Sequence, residues 1–487
     1  MRFRYFKQKE LLASCATSGK SLADALHEVG GDYDSLVYSD EAGFDVIAGM
    51  PDIEPVDQRP KVATGIPCVS FFSGAGGLDI GFECAGFRTL ANVEIVPMFC
   101  ETLRSNGHMN VIGPPFAAGD MSKPEEVVNE LERLGIKREF SGVFHGGPPC
   151  QSFSVAANQR FNKAGENFKR TGFNHAKLGN LLFCYIDVIL HFRPEVFLIE
   201  NVDGLLSIDG GVQASRACTI LREAGYDVSD PRVVNAADYG VPQKRLRTLI
   251  IGSRIGHFEF PQTVRAQIPA GSALKRSVDG LPNHQTREHA AESVLRYMVL
   301  PYGKRDKLGR VDRLDPFKPS KTIIAGGTGG GGRSHLHPFI PRTMSVRECA
   351  RLQTFPDSYV FTGPVARQFT QCGNAVPPVL AYEMACAIYY SIYAKFKRTA
   401  ASVKYDTLKP VEERKSVPAS YHLRSSRVEQ LRLAIEKKRG YKGAEACKAK
   451  AGTKKKIAKP RKSGRASCPQ PAAKRAKSVK ARYGKRG

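Results

Sequence analysis

Between Pro67 and Arg254 short apolar runs alternate with helix-like segments, and this rhythm restricts the fold more than any other feature of the chain. The runs predict strands at 68–72, 90–95, 142–145, 196–200 and 248–252. Apolar strands separated by helices are the mark of a parallel sheet covered on both faces. The expected class is therefore α/β, with a doubly wound, mostly parallel sheet. The chain has 487 residues, which leaves room for further domains at roughly 100–200 residues each.

The remaining segments differ in character. Residues 1–60 carry few signals. Within them 10–29 is helix-compatible, with apolar Leu11, Leu12, Ala16, Leu22, Ala25 and Leu26, and 52–60 reads as a linker holding two prolines after Pro51. Residues 255–340 are polar and broken, and they contain the glycine-rich run from Gly326 to Gly332. Residues 441–487 hold 17 Lys and Arg against one acid, Glu445. Such a composition forms no core and predicts a disordered cationic arm.

The formal net charge is +26, which favours a polyanionic partner, most often nucleic acid. An enzyme with a basic surface is the alternative. The longest apolar stretch, 181–192, contains Asp187 and His191 and falls short of the roughly 18 residues that span a membrane. The N-terminus has two arginines but no apolar run before a small-residue cleavage site, so no secretory signal is expected. None of the 12 cysteines forms a C-x-x-C pair, which argues against zinc and for free thiols in a reducing compartment. No metal is expected.

The first strand runs into FFSGAGGLDIGF, residues 71–82. Glycines after a strand and before a helix let backbone approach a ligand closely. The spacing G-x-G-G-x-x-x-G is not the dinucleotide fingerprint, and no lysine follows to make a phosphate-binding loop. Glu94 lies 18 residues beyond Gly76, at the end of the next strand, where an acid can accept hydrogen bonds from both ribose hydroxyls. Asp120, in AAGDM, sits at a later loop and could bind an adenine amino group. A glycine turn alone is as often a mere tight connection. The turn with an acid at the next strand end suggests a nucleoside cofactor without a pyrophosphate.

The third strand leads into GGPPCQSFS, residues 146–154. Pro148 and Pro149 stiffen the loop ahead of Cys150, and a thiol at a strand's carboxyl end is well placed for attack. A buried small hydrophobe is the default for the other cysteines. VFLIENVDGLL places Glu200 after four apolar residues, at a strand end or else as a solvated loop acid. In DYGVPQKRLRTLII, alternation puts Gln243, Arg245 and Arg247 on one face, and Lys244 and Leu246 on the other. Guanidiniums in such a row bind phosphate or a base carbonyl; a solvated basic edge is the alternative.

FSGAGGLDIGF, GGPPCQS, IENVDGLL, VPQKRLR, SVRECARLQTFPD and QCGNAVPP follow one another in this order. The series resembles the ordered motifs of the cytosine 5-methyltransferases that act on DNA, and the resemblance covers about Pro67 to Thr399. It implies that Cys150 is the nucleophile, Glu200 the catalytic acid, and Arg245 and Arg247 the paired arginines of the site. It implies S-adenosylmethionine as cofactor, contacted by Phe72, Ser73, Gly74, Ala75, Gly76, Gly77, Leu78, Glu94, Asp120, Pro149 and Leu181, with Asn374 and Ala375 from the last motif. Arg347, Glu348, Arg351 and Gln353 match a motif that orders the recognition domain. Cys372 departs from the branched apolar residue usual before Gly-Asn.

The same resemblance implies an N-terminal extension at 1–61, a Rossmann-like catalytic domain at 62–254 plus 373–398, a smaller target-recognition domain at 255–345, a connecting segment at 346–372 and a basic tail at 399–487. It implies a monomer acting on duplex DNA, away from any membrane. The family's common setting is bacterial restriction–modification, hence a cytoplasmic, nucleoid-associated enzyme with a cognate restriction endonuclease. Were the tail an import signal, the setting would be a nucleus. The alternatives are the same chemistry on tRNA, or a catalytically silent DNA-binding homologue. The intact set Cys150, Glu200 and Arg245 speaks against silence.

Overall fold

A computed structural model describes residues 3–63, 65–149, 181–264, 266–324 and 335–396, all within one structural unit, 1–422. Cys150, the run from Gly326 to Gly332 and the tail at 399–487 lie outside the described residues.

The N-terminal segment forms two helices, α1 (Tyr5–Ser18) and α2 (Leu22–Glu28), within and ahead of the stretch 10–29 that read as helix-compatible. The local capping chemistry decides the break. Gly19 closes α1 in the left-handed conformation (φ 70°), and the Ser21 side chain opens α2 by accepting from the Asp24 N–H.

The main sheet has eight strands. β1 (Pro67–Phe71), β2 (Arg88–Val93), β3 (Val111–Ile112), β4 (Val143–Gly146) and β5 (Val196–Val202) run parallel. β6 (Asp227–Val228) and β7 (Arg232–Asn235) both pair antiparallel with β8 (Leu246–Ser253), which is itself antiparallel to β5. The spatial order is β3-β2-β1-β4-β5-β8-β6, with β7 also on β8. The five predicted strands are all present, and the sheet is mostly parallel as expected. Alternate residues of β1, β4 and β5 enter two separate apolar layers. Cys68, Val143 and Leu198 point to one face, and Val69, Phe144 and Phe197 to the other.

Helix α3 (Gly77–Cys84) follows β1, α4 (Pro97–Ser105) follows β2, and α5 (Pro124–Arg133) precedes β4. Helices α6 (Leu181–Phe192) and α7 (Val212–Glu223) join α5 on one face. After β8 the chain is built of short pieces. These are α8 (Ala270–Leu274), α9 (Ala291–Tyr297), and a three-stranded sheet of β9 (Arg305–Asp306), β10 (Val311–Arg313) and β11 (His335–Leu336). Helices α10 (Val346–Leu352), α11 (Val365–Asn374) and α12 (Pro378–Ile388) then return to the main sheet.

The return explains the glycine spacing. A Cβ on Gly77 would lie 2.2 Å from the Val376 carbonyl oxygen, and one on Gly81 would lie 2.4 Å from Ala381 Cβ and 2.5 Å from Pro378 O. Four residues apart, the two glycines share one face of α3 and let α12 pack against bare backbone. Gly77→Ala is therefore expected to lower unfolding free energy by about 1–3 kcal/mol. A urea titration with an unchanged midpoint would show that this contact does not hold the return segment.

Candidate active site

The chain runs outward from β1 through β2 to β3, then crosses back to β4 on the other side of β1. In open α/β sheets ligands bind beyond the carboxyl ends of the strands where the order reverses. Here the ends of β1 and β4 carry the glycine turn and the Gly147–Pro149 turn.

The glycine turn coils through left-handed backbone at alternate residues: Phe72 (φ 52°), Gly74 (φ 57°) and Gly76 (φ 71°). For Phe72 that conformation costs on the order of 1–3 kcal/mol; its ring packs edge-on against Tyr185, 6.0 Å between centroids. Ser73 donates its N–H to Val93 O (3.1 Å) and its hydroxyl to Ser70 Oγ (2.8 Å). The Ala75 carbonyl accepts from the Tyr359 hydroxyl at 2.8 Å. Leu78 is buried behind the turn.

Glu94 follows β2 and joins the turn directly. Its Oε2 accepts the Gly74 N–H and its Oε1 the Val96 N–H, both at 2.8 Å. Burial pushes its pKa upward, against the pull of the Val96 and Gly74 N–H groups. Gly113 and Gly119 both abut the Glu94 carbonyl, where a Cβ would lie 2.1 and 2.2 Å away. That contact brings the Asp120 loop to the same corner. Asp120 Oδ1 accepts from the N–H and hydroxyl of Ser122, at 3.0 and 2.7 Å. Leu181 is buried at the start of α6, Pro149 is exposed, and Ala375 lies beside Gly77 with Asn374 exposed next to it.

On the β4 side, a Cβ on Gly147 would meet Glu200 Oε2 at 2.7 Å. Asn201 Nδ2 donates to Pro148 O at 3.3 Å. Glu200, 8% exposed as a residue, therefore has its carboxylate pressed against the turn that leads into Cys150. Arg247 pairs with it, Nε to Oε1 at 2.7 Å, because antiparallel β8 sets Arg247 opposite Val202.

Arg245 and Arg247 part company. Burial follows the predicted alternation, with Gln243 and Arg245 buried and Lys244 and Leu246 exposed. Yet the Arg245 guanidinium is engaged by main-chain carbonyls, those of Ile323 (3.3 Å), Gly373 (2.8 Å) and Asn374 (3.2 Å). Burial, then the like charge of Arg247, lowers its pKa. Gln243 binds Gln353 (2.9 Å), which in turn donates to Cys372 O (2.6 Å). These residues clamp the start of β8 to the α11–α12 junction. The Cys372 thiol is buried in the clamp and pushed up to about 12 by burial.

Sequence reasoning missed Ile95 and Val96. The expected strand ran to Ile95, but β2 stops at Val93, and Ile95 and the following Val96 are both exposed, Ile95 by 50%. An exposed apolar pair directly after a candidate ribose acid was the available signal. Tyr359, more than 280 residues from Ala75 in sequence, gave none.

A family model for the C-5 cytosine-specific DNA methylases matches residues 66–290 and 262–390. The chain is 30% identical over 344 residues to the Type II methyltransferase M1.HphI of Haemophilus parahaemolyticus, covering 66% of this chain and 86% of that protein. It is 32% identical over 341 residues to the Type II methyltransferase M.MthTI of Methanothermobacter thermautotrophicus, covering 65% and 94%. A crystal structure of a prophage-encoded candidate DNA modification methyltransferase from Escherichia coli shares the fold, with a TM-score of 0.53 at 23% identity over 67% of this chain and 99% of that one. With the motifs in order and the sheet reversal in place, this chain belongs to the C-5 cytosine-specific DNA methylase family and is a DNA (cytosine-5-)-methyltransferase.

Proposed function

We propose that the chain transfers a methyl group from S-adenosylmethionine to carbon 5 of a flipped-out cytosine in duplex DNA, through a covalent adduct with Cys150. The supporting observation is the Glu200–Arg247 pair, held against the turn whose last described residue, Pro149, is bonded to Cys150. The division proposed is catalytic 62–254 plus 373–398, recognition 255–345, connecting 346–372, with 1–61 and 399–487 outside the family's motifs.

The residues at the sheet reversal suit the cofactor. Among the described residues, Gly74 has only the Phe72 carbonyl within 4 Å of a notional Cβ, so the turn offers open backbone. The Glu94 oxygens accept the Gly74 and Val96 N–H groups, and a carboxylate has lone pairs beyond these for a hydroxyl. The apolar pair Ile95 and Val96 suits the face of a purine. When bound, S-adenosylmethionine supplies an electrophilic methyl group. Glu94→Ala should weaken its binding by about 1.5–3 kcal/mol, with DNA affinity in its absence little changed. Calorimetry with unaltered cofactor affinity would remove Glu94 from the site.

Cytosine carbon 5 is a poor nucleophile, and inside a duplex the ring is out of reach, so flipping comes first at a few kcal/mol. The Cys150 thiolate adds at carbon 6, and the ring becomes an enamine nucleophilic at carbon 5. Glu200 hydrogen-bonds or protonates ring N3. Arg247, already on Glu200, is the guanidinium placed to hold the ring carbonyl, since Arg245 is occupied by carbonyls of its own chain. After methylation a base takes the carbon 5 proton and the thiolate leaves.

The two relatives are Type II methyltransferases, and we assign this chain the modification half of such a system, as a monomer with a cognate restriction endonuclease in a bacterial cytoplasm. Among the described residues no helix is long and apolar enough to cross a membrane. Incubation with labelled S-adenosylmethionine and either duplex DNA or tRNA, then bisulfite sequencing, tests the reading. Label at cytosine in DNA is the expected result; label confined to tRNA would overturn the substrate.

A further inference from the structure

The family model begins at residue 66, so nothing in that match assigns a role to the first 60 residues. They are nevertheless deeply engaged with the 289–342 region. Helices α1 and α2 share an apolar cluster with Ala291, Val294, Met298 and Ile340. The Tyr33 hydroxyl accepts the His289 N–H (3.0 Å) and donates to its carbonyl (3.2 Å). Ser39 N–H donates to Met298 O at 2.8 Å.

The densest contact is built around Arg313, on β10 of the small sheet. Its side chain is 1% exposed. The guanidinium lies between two rings, 3.6 Å from the Tyr38 centroid and 4.1 Å from that of Tyr302. Asp40 holds its edge in a forked pair, 2.7 and 3.2 Å. The carbonyls of Pro338 (2.9 Å) and Leu300 (2.7 Å) take other donors. Among the described residues Asp40 is the carboxylate that forms an ion pair with Arg313. A second buried guanidinium, that of Arg342, is met from the same segment by Asp34.

Further along the segment Asp52 still meets the 255–345 region, and Arg59 and Pro60 reach the catalytic half at 373–398. Asp52 pairs with Lys275 (3.1 Å) and Arg276 (3.0 Å) near α8. Arg59 pairs with Glu383 of α12 at 2.6 Å and lies 5.3 Å over the Tyr382 ring, and the Tyr382 hydroxyl donates to Pro60 O at 2.8 Å. Residues 3–61 therefore span from the small sheet to α12, the helix that packs on α3.

We propose that residues 3–61 are a strap that fixes the target-recognition module against the catalytic half, and that Asp40 is a positioning residue for the choice of DNA target. The inference rests on the reading that 255–345 contacts the target. A buried guanidinium stays put only while its charge is matched. Without the Asp40 carboxylate, Arg313 is held by neutral groups alone, and β10 loses its charged contact with the strap and keeps only the ring of Tyr38. Misplacement of about 1 Å at a remote support can cost on the order of a hundredfold in rate, so small shifts of the module are enough to blur discrimination.

The test uses the full chain, with wild type, Asp40→Asn, Asp40→Glu and Arg59→Met. Each is incubated with S-adenosylmethionine and genomic duplex DNA, and methylated sites are mapped by bisulfite sequencing. The wild type defines the target. Asp40→Asn is expected to raise methylation of sites differing by one base pair, relative to the target, by about tenfold. KM for DNA should rise alongside, while S-adenosylmethionine affinity, read by calorimetry on the same sample, stays within about twofold. Asp40→Glu should restore most of the discrimination, and Arg59→Met, at the far end, should reproduce its loss. Wild-type discrimination in Asp40→Asn would overturn the strap. So would a parallel loss of cofactor affinity, which would make Asp40 a general stabiliser. A wild type that methylates no duplex DNA would instead overturn the functional reading beneath it.

Discussion

Cys150→Ser is expected to abolish turnover, by a factor on the order of a thousand or more, while leaving cofactor and DNA binding largely intact. A serine hydroxyl is far less ionised than a thiol near neutral pH and adds poorly to carbon 6. The supports of the loop do not depend on sulfur. Gly147 abuts Glu200, Asn201 holds Pro148 O, and two prolines stiffen the chain. The variant should therefore fold and bind. Retention of more than about a tenth of the wild-type rate would contradict covalent catalysis by this residue. Duplex DNA carrying 5-fluorocytosine gives a second readout, because fluorine cannot leave as a proton does. A denaturation-resistant enzyme–DNA complex should accumulate with the wild type and not with Cys150→Ser. An active wild type that forms no such complex would rule out the thiol adduct.

The second large effect concerns stability. Glu348 and Arg342 are both buried, and the pair is forked, with Nη1 to Oε2 at 2.9 Å and Nη2 to Oε1 at 2.7 Å. Glu348 Oε2 also takes the Ser345 N–H at 2.7 Å, completing a capping box at the start of α10. Burial alone would raise the Glu348 pKa. The charge and hydrogen bonds of Arg342, with His337 and the Ser345 N–H, outweigh it and hold the carboxyl well below the usual carboxylate range. Glu348→Gln should cost about 3 kcal/mol, because it leaves the Arg342 guanidinium buried with only Asp34 as counter-charge. That is a large share of a typical margin of about 5–15 kcal/mol.

The pH dependence follows from the lowered pKa. The stabilisation is complete above the ordinary glutamate value of 4.5 and is lost as pH falls below it toward the depressed folded value. The variant should thus be flatter than wild type in acid. Urea titrations from pH 7 to 3 would check this. Equal stability of the two proteins at pH 7, or parallel acid profiles, would show that the pair contributes nothing net.

Much of the candidate site's placement was legible in the chain because its residues sit at or near strand ends, and strand ends are local. Apolar runs mark where strands stop, so the glycine turn, Glu94 and Glu200 could be placed at carboxyl ends without knowing the strand order. The break between α1 and α2 was locally encoded too, in Gly19 and Ser21, but apolar spacing alone ran through it. Arg245 and Arg247 could not be told apart. They share a face by alternation, yet one is buried among carbonyls from Ile323 to Asn374 and the other reaches Glu200.

The sequence by itself determined the alternation of strands and helices, the turn chemistry and the set of candidate reactive side chains. These depend on contacts within a few residues, where periodicity and backbone preference act. Only the tertiary structure decided the partners. It set Glu200 against Gly147 and Arg247, Glu94 on the Gly74 N–H, α12 on the bare face of α3, and Asp40 on Arg313. Each of those contacts joins segments 20 or more residues apart, and their pairing follows from strand order and burial of charge. Neither is written in any local window of the chain.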